Sequence, residues 1–410
     1  MATRLPRQAA TCSLLDHRQA VPGVVQTSID GRLAPRIVPS PAATSSPMPL
    51  PDFDPALYEA QLATKLARYR ADFADLALPE PEVFRSPPLA FRMRAEFRLW
   101  HVAGRVHYAM FDPAEPRKPL LIDDFPPAAT PIAEVMTPLL ECINRNEELR
   151  RRIFQAEFLA TLSGERMVSL VYHRRLGDAW LASARELAAA LDIVLIGRSR
   201  GQKLVLERDW LLERIEVDGR ELAYRQNEGS FTQPNGEVNR SMLAWARRQL
   251  GGIGGDLLEL YCGNGNFTVA LAPLFGRVLA TEVSKSSVGA ARHNLATNGV
   301  DNVALVRMAS EEISDALDGG RRYRRLEGVA LAEHAFSTLF VDPPRAGLDD
   351  ATLSLAGRID HILYISCNPR TLHANVARLA TSHRIAAAAA FDQFPYTDHL
   401  ECGMLLVRDR

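Results

Sequence analysis

The chain has 410 residues and a mass of 45.3 kDa, which is enough for two or three domains with buried cores. Hydrophobic residues make up 47% of it and charged residues 24%, and 48 basic side chains nearly balance 49 acidic ones. This composition excludes a collagen-like fibre, a disulfide-stapled miniprotein and a chain that is basic throughout. The sequence holds no uninterrupted apolar stretch of about 18 residues, so we expect no transmembrane helix and no membrane partner.

Five cysteines are scattered along the chain: Cys12, Cys142, Cys262, Cys367 and Cys402. Their odd number and the lack of a CxxC pair exclude a zinc ribbon and a four-cysteine iron–sulfur motif by spacing. We therefore expect a reducing, cytoplasmic environment, no metal and no iron–sulfur cluster. A catalytic thiol stays open at this point.

Residues 1–50 form a proline-rich lead in which we expect disorder. The next region, 51–210, has the pattern of an α+β domain. Helices are predicted near 131–147 and 181–191, and strands near 153–162, 167–173, 193–197 and 203–207. Between residues 91 and 99 apolar side chains alternate with polar ones, among them Arg92, Arg94 and Arg98. This alternation predicts a half-buried strand with one cationic face.

Residues 211–239 are predicted to connect the two halves of the chain through a hairpin that turns at Asp218-Gly219. From 240 to 410 short apolar strands alternate with helices. The predicted strands are 256–261, 277–282, 303–307, 339–341, 362–365, 384–391 and 404–407, and the helices between the first three are 267–274 and 286–297. The pattern predicts an α/β fold with a doubly wound, mostly parallel sheet.

A glycine-rich loop, Cys262 to Asn266, follows the first strand of this sheet. In open α/β sheets ligands bind beyond the carboxyl ends of the strands, where glycines let the backbone approach them. Glu282 ends the next strand, and a carboxylate there suits a ribose diol. Thr268 occupies the place of the third glycine of GxGxxG. The loop thus favours an adenosyl methyl donor over a dinucleotide but leaves both open.

Two further motifs end later strands, and a third precedes the last strand. In Asp342-Pro343-Pro344-Arg345 the two prolines fix the backbone and leave the Asp342 carboxylate at the rim. Cys367 stands before a proline turn and the start of a helix, whose N-terminus we expect to lower the thiol pKa. Glu401 precedes the last strand, so the sheet can bring it beside Cys367. His399 and Cys402 are near it, but no further spacing supports a metal site.

Five motifs, in this order, resemble those of the RNA uracil-5-methyltransferases: Gln233-Pro234-Asn235, Leu260 to Phe267, Asp342 to Arg345, Ser366 to Pro369, and His399 to Gly403. The resemblance extends from about Tyr58 to Gly403 and is closest to the bacterial tRNA branch. Ribosomal-RNA members usually carry an N-terminal cysteine cluster, whereas this chain has only Cys12 and Cys142 before Cys262. That difference favours the tRNA branch.

The resemblance implies a C-terminal Rossmann-like domain with S-adenosylmethionine as methyl donor, released as S-adenosylhomocysteine, and an N-terminal RNA-binding domain. It implies that Cys367 is the nucleophile and Glu401 the base. The donor-binding residues that it implies are Gln233, Tyr261, Asn266, Glu282 and Asp342. The implied substrate is uridine 54 in the T-arm of tRNA, with the equivalent T-loop of tmRNA. We expect the enzyme to act as a monomer.

The chemistry of uracil agrees with these roles. Addition of a thiolate at C6 makes C5 nucleophilic toward the methyl group, and a base then removes the C5 proton. The enolate oxygen needs a hydrogen-bond donor, for which Arg345 or Asn368 is our hypothesis. We expect Phe231 or Phe394 to stack on a flipped base, and the arginine row, including Arg92 and Arg94, to contact phosphates.

Other readings stay open. An NAD-dependent oxidoreductase would use the glycine loop but would need neither Cys367 nor Glu401. A ribosomal-RNA uracil-5-methyltransferase without the cluster, or a catalytically silent tRNA-binding or tRNA-folding protein, would keep the RNA-facing residues. Methyl transfer from labelled S-adenosylmethionine to unmodified tRNA separates an enzyme from a silent binder.

Overall fold

The computed structural model describes residues 53–112 and 115–409. Within them the chain forms two compact units. The smaller unit contains Arg94–Ala160 and Gly164–Asp209, and the larger contains 53–93, Thr161–Ser163 and 210–409. The predicted disordered lead, 1–50, lies outside the described residues. Among the described residues, every helix is too short or too polar to cross a membrane.

Helices and strands are numbered in chain order. The helices are α1 (Tyr58–Asp72), α2 (Thr130–Arg145), α3 (Glu147–Arg150), α4 (Asp178–Leu191), α5 (Gly236–Leu250), α6 (Asn266–Leu271), α7 (Lys285–Thr297), α8 (Ser310–Leu317), α9 (Asp350–Ala356) and α10 (Pro369–Leu379). The strands are β1 (Glu82–Phe84), β2 (Arg94–Val102), β3 (Arg105–Phe111), β4 (Pro119–Ile122), β5 (Ile153–Ala160), β6 (Arg166–Tyr172), β7 (Val194–Ser199), β8 (Gln202–Val205), β9 (Trp210–Val217), β10 (Arg220–Asn227), β11 (Asp256–Leu260), β12 (Arg277–Thr281), β13 (Val303–Val306), β14 (Phe336–Val341), β15 (His361–Ser366), β16 (His383–Phe391) and β17 (Glu401–Arg408).

The smaller unit is a mixed sheet with strand order β4-β3-β2-β5-β6-β7-β8. Its neighbours pair antiparallel except β6 and β7, which are parallel and joined by α4. Along β2 the side chains of Phe97 and Leu99 are buried, whereas Glu96, Arg98 and Trp100 are exposed. The predicted half-buried strand is confirmed, although it begins at Arg94. Leu99 pairs with Tyr108 of β3, whose hydroxyl donates to the Met136 carbonyl of α2.

The larger unit is built on a sheet with strand order β1-β16-β17-β15-β14-β11-β12-β13. Strands β11 to β15 run parallel, and β17 is antiparallel to both β15 and β16. Alternate residues of β11 enter different cores: Leu258 and Leu260 join one cluster, Leu257 the other. Because both faces of the sheet are covered, the predicted doubly wound α/β fold is confirmed.

The predicted domain boundaries differ from the compact units of the structure. The sequence pattern predicts residues 53–93 to be part of the N-terminal domain, but Leu62, Leu66 and Tyr69 of α1 are buried in the core of the larger unit. Strand β1 adds to the same unit by pairing with β16. The predicted linker also belongs to it, since its confirmed hairpin, β9 and β10, packs against α5. The apolar stripe of α1 needs a partner that is distant in sequence, which sequence order alone does not reveal.

Candidate active site

A cavity of about 900 Å³ opens in the larger unit, at the carboxyl ends of β11, β12, β14 and β15. Most residues that the sequence predicts for the site line this one cavity: Phe231, Gln233, Tyr261, Asn266, Glu282, Asp342, Arg345, Cys367, Phe394 and Glu401. Motifs that are widely separated in the chain therefore meet at one edge of the sheet, as expected for an open α/β fold.

The loop after β11 is shaped by backbone conformations that favour glycine. Gly263 has a φ of 58° and Gly265, which caps α6, has a φ of 82°. A Cβ built at Gly263 would meet no atom within 4 Å, so the backbone here faces open space. Tyr261 adopts a φ of 61° without being glycine, and its hydroxyl donates to Ser310 Oγ at 2.7 Å. Such strain in a non-glycine residue is typical of functional sites.

Glu282 closes the loop from the end of β12. Its carboxylate accepts the backbone N–H of Gly263 at 3.1 Å and that of Ser284 at 2.7 Å. These two bonds fix the orientation of the carboxylate and still leave it lone pairs for a ligand. Asn266 is fixed by Asn239, because their side-chain amides bond to each other in both directions, at 2.9 and 3.1 Å.

Cys367 and Glu401 come together through the antiparallel pairing of β15 with β17. Ser366 is the register partner of Cys402, so the residue after β15 and the first residue of β17 lie at the same edge. Cys367 is half-buried and Glu401 is 4% exposed. The charge of Glu401 acts on the Cys367 thiol, which places the two groups within electrostatic reach in the shared cavity.

The thiol does not have the lowered pKa that its position before a helix predicts. Burial, followed by the negative charges of Glu401 and Asp342, raises the pKa of Cys367 to about 11. Arg345 acts in the opposite direction but is outweighed. The expectation from the N-terminus of α10 is thus wrong, because desolvation and two nearby carboxylates exceed the effect of one helix end.

The cavity wall is strongly acidic. Its described lining carries seven carboxyl side chains against one guanidinium, that of Arg345. Loss of solvent raises the pKa of Asp342 to about 7 and that of Glu259 to about 8, and it raises the pKa of Glu401 well above its usual value. Raised carboxyl pKa values show that the wall lacks compensating positive charge. A positively charged ligand would supply the missing charge. A ligand with a sulfonium and an α-ammonium group fits this acidic wall.

Sequence reasoning missed two residues of this wall, Glu259 and Asn239, and one residue that supports it, Gln393. Glu259 lies within β11 and is fully buried, and its carboxyl group interacts with Thr268. A charged residue inside an apolar strand is the sequence signal that could have revealed Glu259. Asn239 and Gln393 carried no such sign. Gln393 is 1% exposed and its Nε2 donates to Gln233 Oε1 at 3.0 Å.

Three predicted substrate residues lie outside the described lining of the cavity: Arg92, Arg94 and Asn368. Asn368 caps α10, where its side chain accepts the N–H of Arg370 and donates to the Arg345 carbonyl at 2.9 Å. The Asn368 amide is therefore engaged in capping α10 and in binding the Arg345 carbonyl. Arg92 forms an isolated bridge with Asn235 through the backbone, and Arg94 begins β2 in the smaller unit.

The smaller unit carries an aromatic and cationic cluster of its own. The Arg98 guanidinium lies 3.9 Å above the ring of Phe154, and this ring is 4.1 Å from that of His173, measured between centroids. Arg98 and His173 are exposed and Phe154 is half-buried. The surface therefore offers a stacking plane beside a positive charge.

Among residues 53–112 and 115–409, no three His, Cys, Asp or Glu side chains are grouped so that they could hold a metal ion.

Comparison with known proteins identifies the class of this fold and site. The family model for tRNA (uracil-5-)-methyltransferases matches residues 57–409. A tRNA/tmRNA (uracil-C(5))-methyltransferase of Azoarcus sp. is 70% identical over 88% of this chain and 99% of its own length. Proteins of the same name are 61% identical in Dechloromonas aromatica, over 88% of this chain and 100% of theirs, and 55% identical in Pseudomonas entomophila, over 87% and 99%. The chain belongs to the tRNA (uracil-5-)-methyltransferase family.

A solved structure supports the fold. The tRNA (uracil-54, C5)-methyltransferase of Pyrococcus abyssi, determined in complex with S-adenosyl-L-homocysteine, superimposes with a TM-score of 0.67. The two chains are 22% identical, and the match covers 85% of this chain and 83% of the other. The similarity at this level of identity is one of architecture.

Proposed function

We propose that this protein methylates C5 of uridine 54 in the T-loop of tRNA, and the equivalent uridine of tmRNA, with S-adenosylmethionine as donor. Family membership supports an S-adenosylmethionine-dependent tRNA (uracil-5-)-methyltransferase. The position of the uridine in the T-arm, the roles of individual residues, and a monomeric enzyme of the cytoplasm are part of the proposal. A single chain supplies every residue that the proposed reaction uses.

The donor would be held by Gln233, Tyr261, Asn266, Glu282 and Asp342, which all line the cavity. Glu282 is oriented by two backbone N–H groups and would accept the ribose hydroxyls. The acidic wall suits the positive charges of the ligand. When bound, S-adenosylmethionine supplies an electrophilic methyl group on a sulfonium.

Cys367 begins the reaction by adding to C6 of the uracil. Uracil C5 is a poor nucleophile until this bond forms and makes it an enolate carbon. The raised pKa of Cys367 means that the free protein holds the thiol mostly protonated at neutral pH. Neutralisation of the nearby Glu401 and Asp342 charges would therefore favour loss of the thiol proton.

Glu401 completes the reaction. After C5 is methylated it removes the C5 proton, the C–H electron pair forms the C5–C6 double bond, and the C6–S bond breaks to return the thiolate. A buried carboxylate with a raised pKa is a stronger base than an ordinary one, which suits removal of a carbon-bound proton. Arg345 is the candidate donor to the uracil O4 enolate, since its guanidinium lines the cavity and Asn368 is engaged elsewhere.

Access to the cavity requires a flipped uridine, because the ring must reach Cys367. Phe231 lines the cavity with 75% of its surface exposed, and Phe394 lines it near Glu401. Both offer stacking planes for the base. The Arg98 and Phe154 pair and the arginine row of β2 would contact other parts of the RNA, with cations on phosphates and the ring on a base.

One observation carries the proposal: Cys367 and Glu401 line the same cavity as the acidic donor wall. The test is incubation with labelled S-adenosylmethionine and unmodified tRNA, followed by mapping of the methylated nucleotide by mass spectrometry. We expect label at uridine 54, none with Cys367→Ala, and unchanged tRNA binding by that variant. Label in ribosomal RNA alone, or binding of tRNA without transfer by the wild type, would reject the proposal.

A further inference from the structure

Helix α1 carries three long polar side chains on one face, which we name the donor face: Gln61, Lys65 and Arg68. Their spacing of four and three residues places them one above another on a helix. The neighbouring stripe of the helix, with Leu62, Leu66 and Tyr69, is buried in the sheet core. The donor face is thus held at a fixed orientation by the packing of the adjacent stripe.

All three side chains of the donor face reach one segment, residues 392–400, which we name the base-bearing loop because Glu401 follows it. Gln61 Nε2 donates to the Thr397 carbonyl at 2.7 Å, and Lys65 Nζ donates to the Phe394 carbonyl at 2.8 Å. Arg68 donates to the Asp398 carbonyl. The helix therefore binds the backbone of the loop at three carbonyl groups, and Lys65 and Arg68 also pair with the loop carboxylates of Asp392 and Asp398.

Lys65 is the central and most buried of the three contacts. Its Nζ lies 2.6 Å from Asp392 Oδ1, and the two side chains are 3% and 0% exposed. Burial lowers the pKa of Lys65, while the charge of Asp392 opposes that shift. A buried ion pair contributes little net stability compared with apolar residues of similar volume. The geometry of the pair is more informative than its stability, because Lys65 binds both Asp392, at the start of the loop, and the Phe394 carbonyl.

Contacts outside the donor face also hold the loop: the Asp392 N–H donates to the Phe84 carbonyl at 3.0 Å, and Leu400 is buried in the core. The residue Tyr396 adopts a φ of 61°, and its hydroxyl donates to the Pro88 carbonyl at 2.9 Å. The Phe394 carbonyl also accepts the Thr397 hydroxyl at 2.8 Å. A strained residue persists only where its surroundings over-determine it, and the donor face supplies such surroundings.

We propose that Lys65 is a positioning residue for proton removal: through Asp392 and the Phe394 carbonyl it holds the base-bearing loop so that Glu401 meets the C5 proton. This inference rests on the proposed role of Glu401 as base. In the step concerned, the C5 proton moves to the Glu401 carboxylate, the C–H pair becomes the C5–C6 double bond, and the C6–S bond breaks.

The inference predicts which step fails. Displacement of the loop would slow proton removal more than thiol addition or donor binding, because Cys367 follows β15 and Glu282 is oriented by the Gly263 and Ser284 N–H groups, all outside the loop. The methylated covalent adduct between Cys367 and RNA should then accumulate. A purely structural role would instead lower the amount of folded enzyme and leave the adduct fraction per folded molecule unchanged.

The experiment uses the full chain with Lys65→Met, unmodified tRNA and S-adenosylmethionine. We expect kcat to fall about 10- to 100-fold, the KM for tRNA and the affinity for S-adenosylhomocysteine to change by a smaller factor than kcat, and the adduct band on denaturing gels to rise. Arg70→Met is the matched control on the same helix, because Arg70 pairs with Glu80 and both are exposed. It should behave as the wild type.

Two further variants keep the test decisive. Gln61→Leu removes one neutral donor to the loop and leaves no unpaired buried charge, so it should fold and raise the adduct band to a smaller extent. Lys65→Met with Asp392→Leu removes both charges, which restores stability but not the bond to the Phe394 carbonyl. This double variant should still accumulate the adduct.

Glu401→Gln separates the two proposals. If Glu401→Gln traps the adduct and neither Lys65→Met nor Gln61→Leu does so, the positioning role is wrong and the role of Glu401 stands. If Glu401→Gln forms no adduct while Cys367 is intact, the base assignment fails, and the positioning role fails with it. Recovery of wild-type kcat by the double variant would also overturn the role of Lys65.

Discussion

Two walls of the cavity are built in opposite ways. The donor wall is formed by residues proposed to bind S-adenosylmethionine, and the base-bearing wall is formed by the base-bearing loop and Glu401. In the donor wall Tyr261, Gly263 and Glu282 are close in sequence and are oriented by bonds among the ends of adjacent parallel strands. In the base-bearing wall the contact from Gln61 to Thr397 spans 336 positions of the chain. A local motif can encode the first wall, whereas only the tertiary fold can assemble the second.

The largest expected effect comes from weakening the packing of α1, the helix that supports the base-bearing wall. Leu62 is 1% exposed in the core beneath α1, and Leu62→Ala should lower the free energy of unfolding of the larger unit by about 2–5 kcal/mol. Leu57→Ala, at a residue that is 47% exposed, should change it by less than about 0.5 kcal/mol. Denaturant unfolding of both variants measures this. Equal, small losses would show that α1 is not part of that core.

The contrast between the walls explains what the sequence could reveal. The predicted strands β11 to β15 agree with the structure, and the predicted site residues after them line one cavity, because each motif directly follows an apolar strand and strand ends converge on one edge. The place of α1 could not be predicted, since an amphipathic stripe shows that a helix is buried but not against what. The thiol pKa was predicted with the wrong direction because Asp342 and Glu401 become its neighbours only through the fold.

A second prediction tests the donor wall alone. Glu282→Ala removes the acceptor of the Gly263 and Ser284 N–H groups and the carboxylate that faces the donor. Each bond to a charged group contributes about 1.5–3 kcal/mol, so the affinity for S-adenosylhomocysteine should fall at least about tenfold in calorimetry. Affinity for tRNA should stay the same. A loss of tRNA binding of equal size would mean that the two walls are not separable in this way.

A third prediction concerns the smaller unit, which the comparison of the walls leaves out. Arg94→Ala with Arg98→Ala should weaken tRNA binding about tenfold, since each removes a cation from the arginine row of β2. The slope of log affinity against log salt should fall by about 1 to 2. Filter binding at several salt concentrations measures both quantities. An unchanged affinity and salt slope would rule out the RNA contact, and unchanged binding of S-adenosylhomocysteine is the control.

The smallest effect probes the electrostatic link between the two walls. Because the Glu401 charge raises the pKa of Cys367, Glu401→Gln should lower that pKa and increase the fraction of thiolate at pH 8. Alkylation of Cys367 by iodoacetamide, followed on its own peptide by mass spectrometry, should therefore be faster, by about threefold for each unit by which the pKa falls, because a less basic thiolate is also less nucleophilic.

Two matched variants define the sign of this effect. Arg345→Gln removes the positive charge that lowers the pKa of Cys367, so its alkylation should be slower than in the wild type. Glu311→Gln removes a carboxylate of the same cavity that is not among the main causes of the raised thiol pKa, so its alkylation rate should change least. Faster alkylation in Glu311→Gln as well as Glu401→Gln would indicate that the acidic wall acts on the thiol as a whole. The total charge of the cavity would then set the pKa of the thiol. The two walls would be separate in how they are built but not in their electrostatic effect on that pKa.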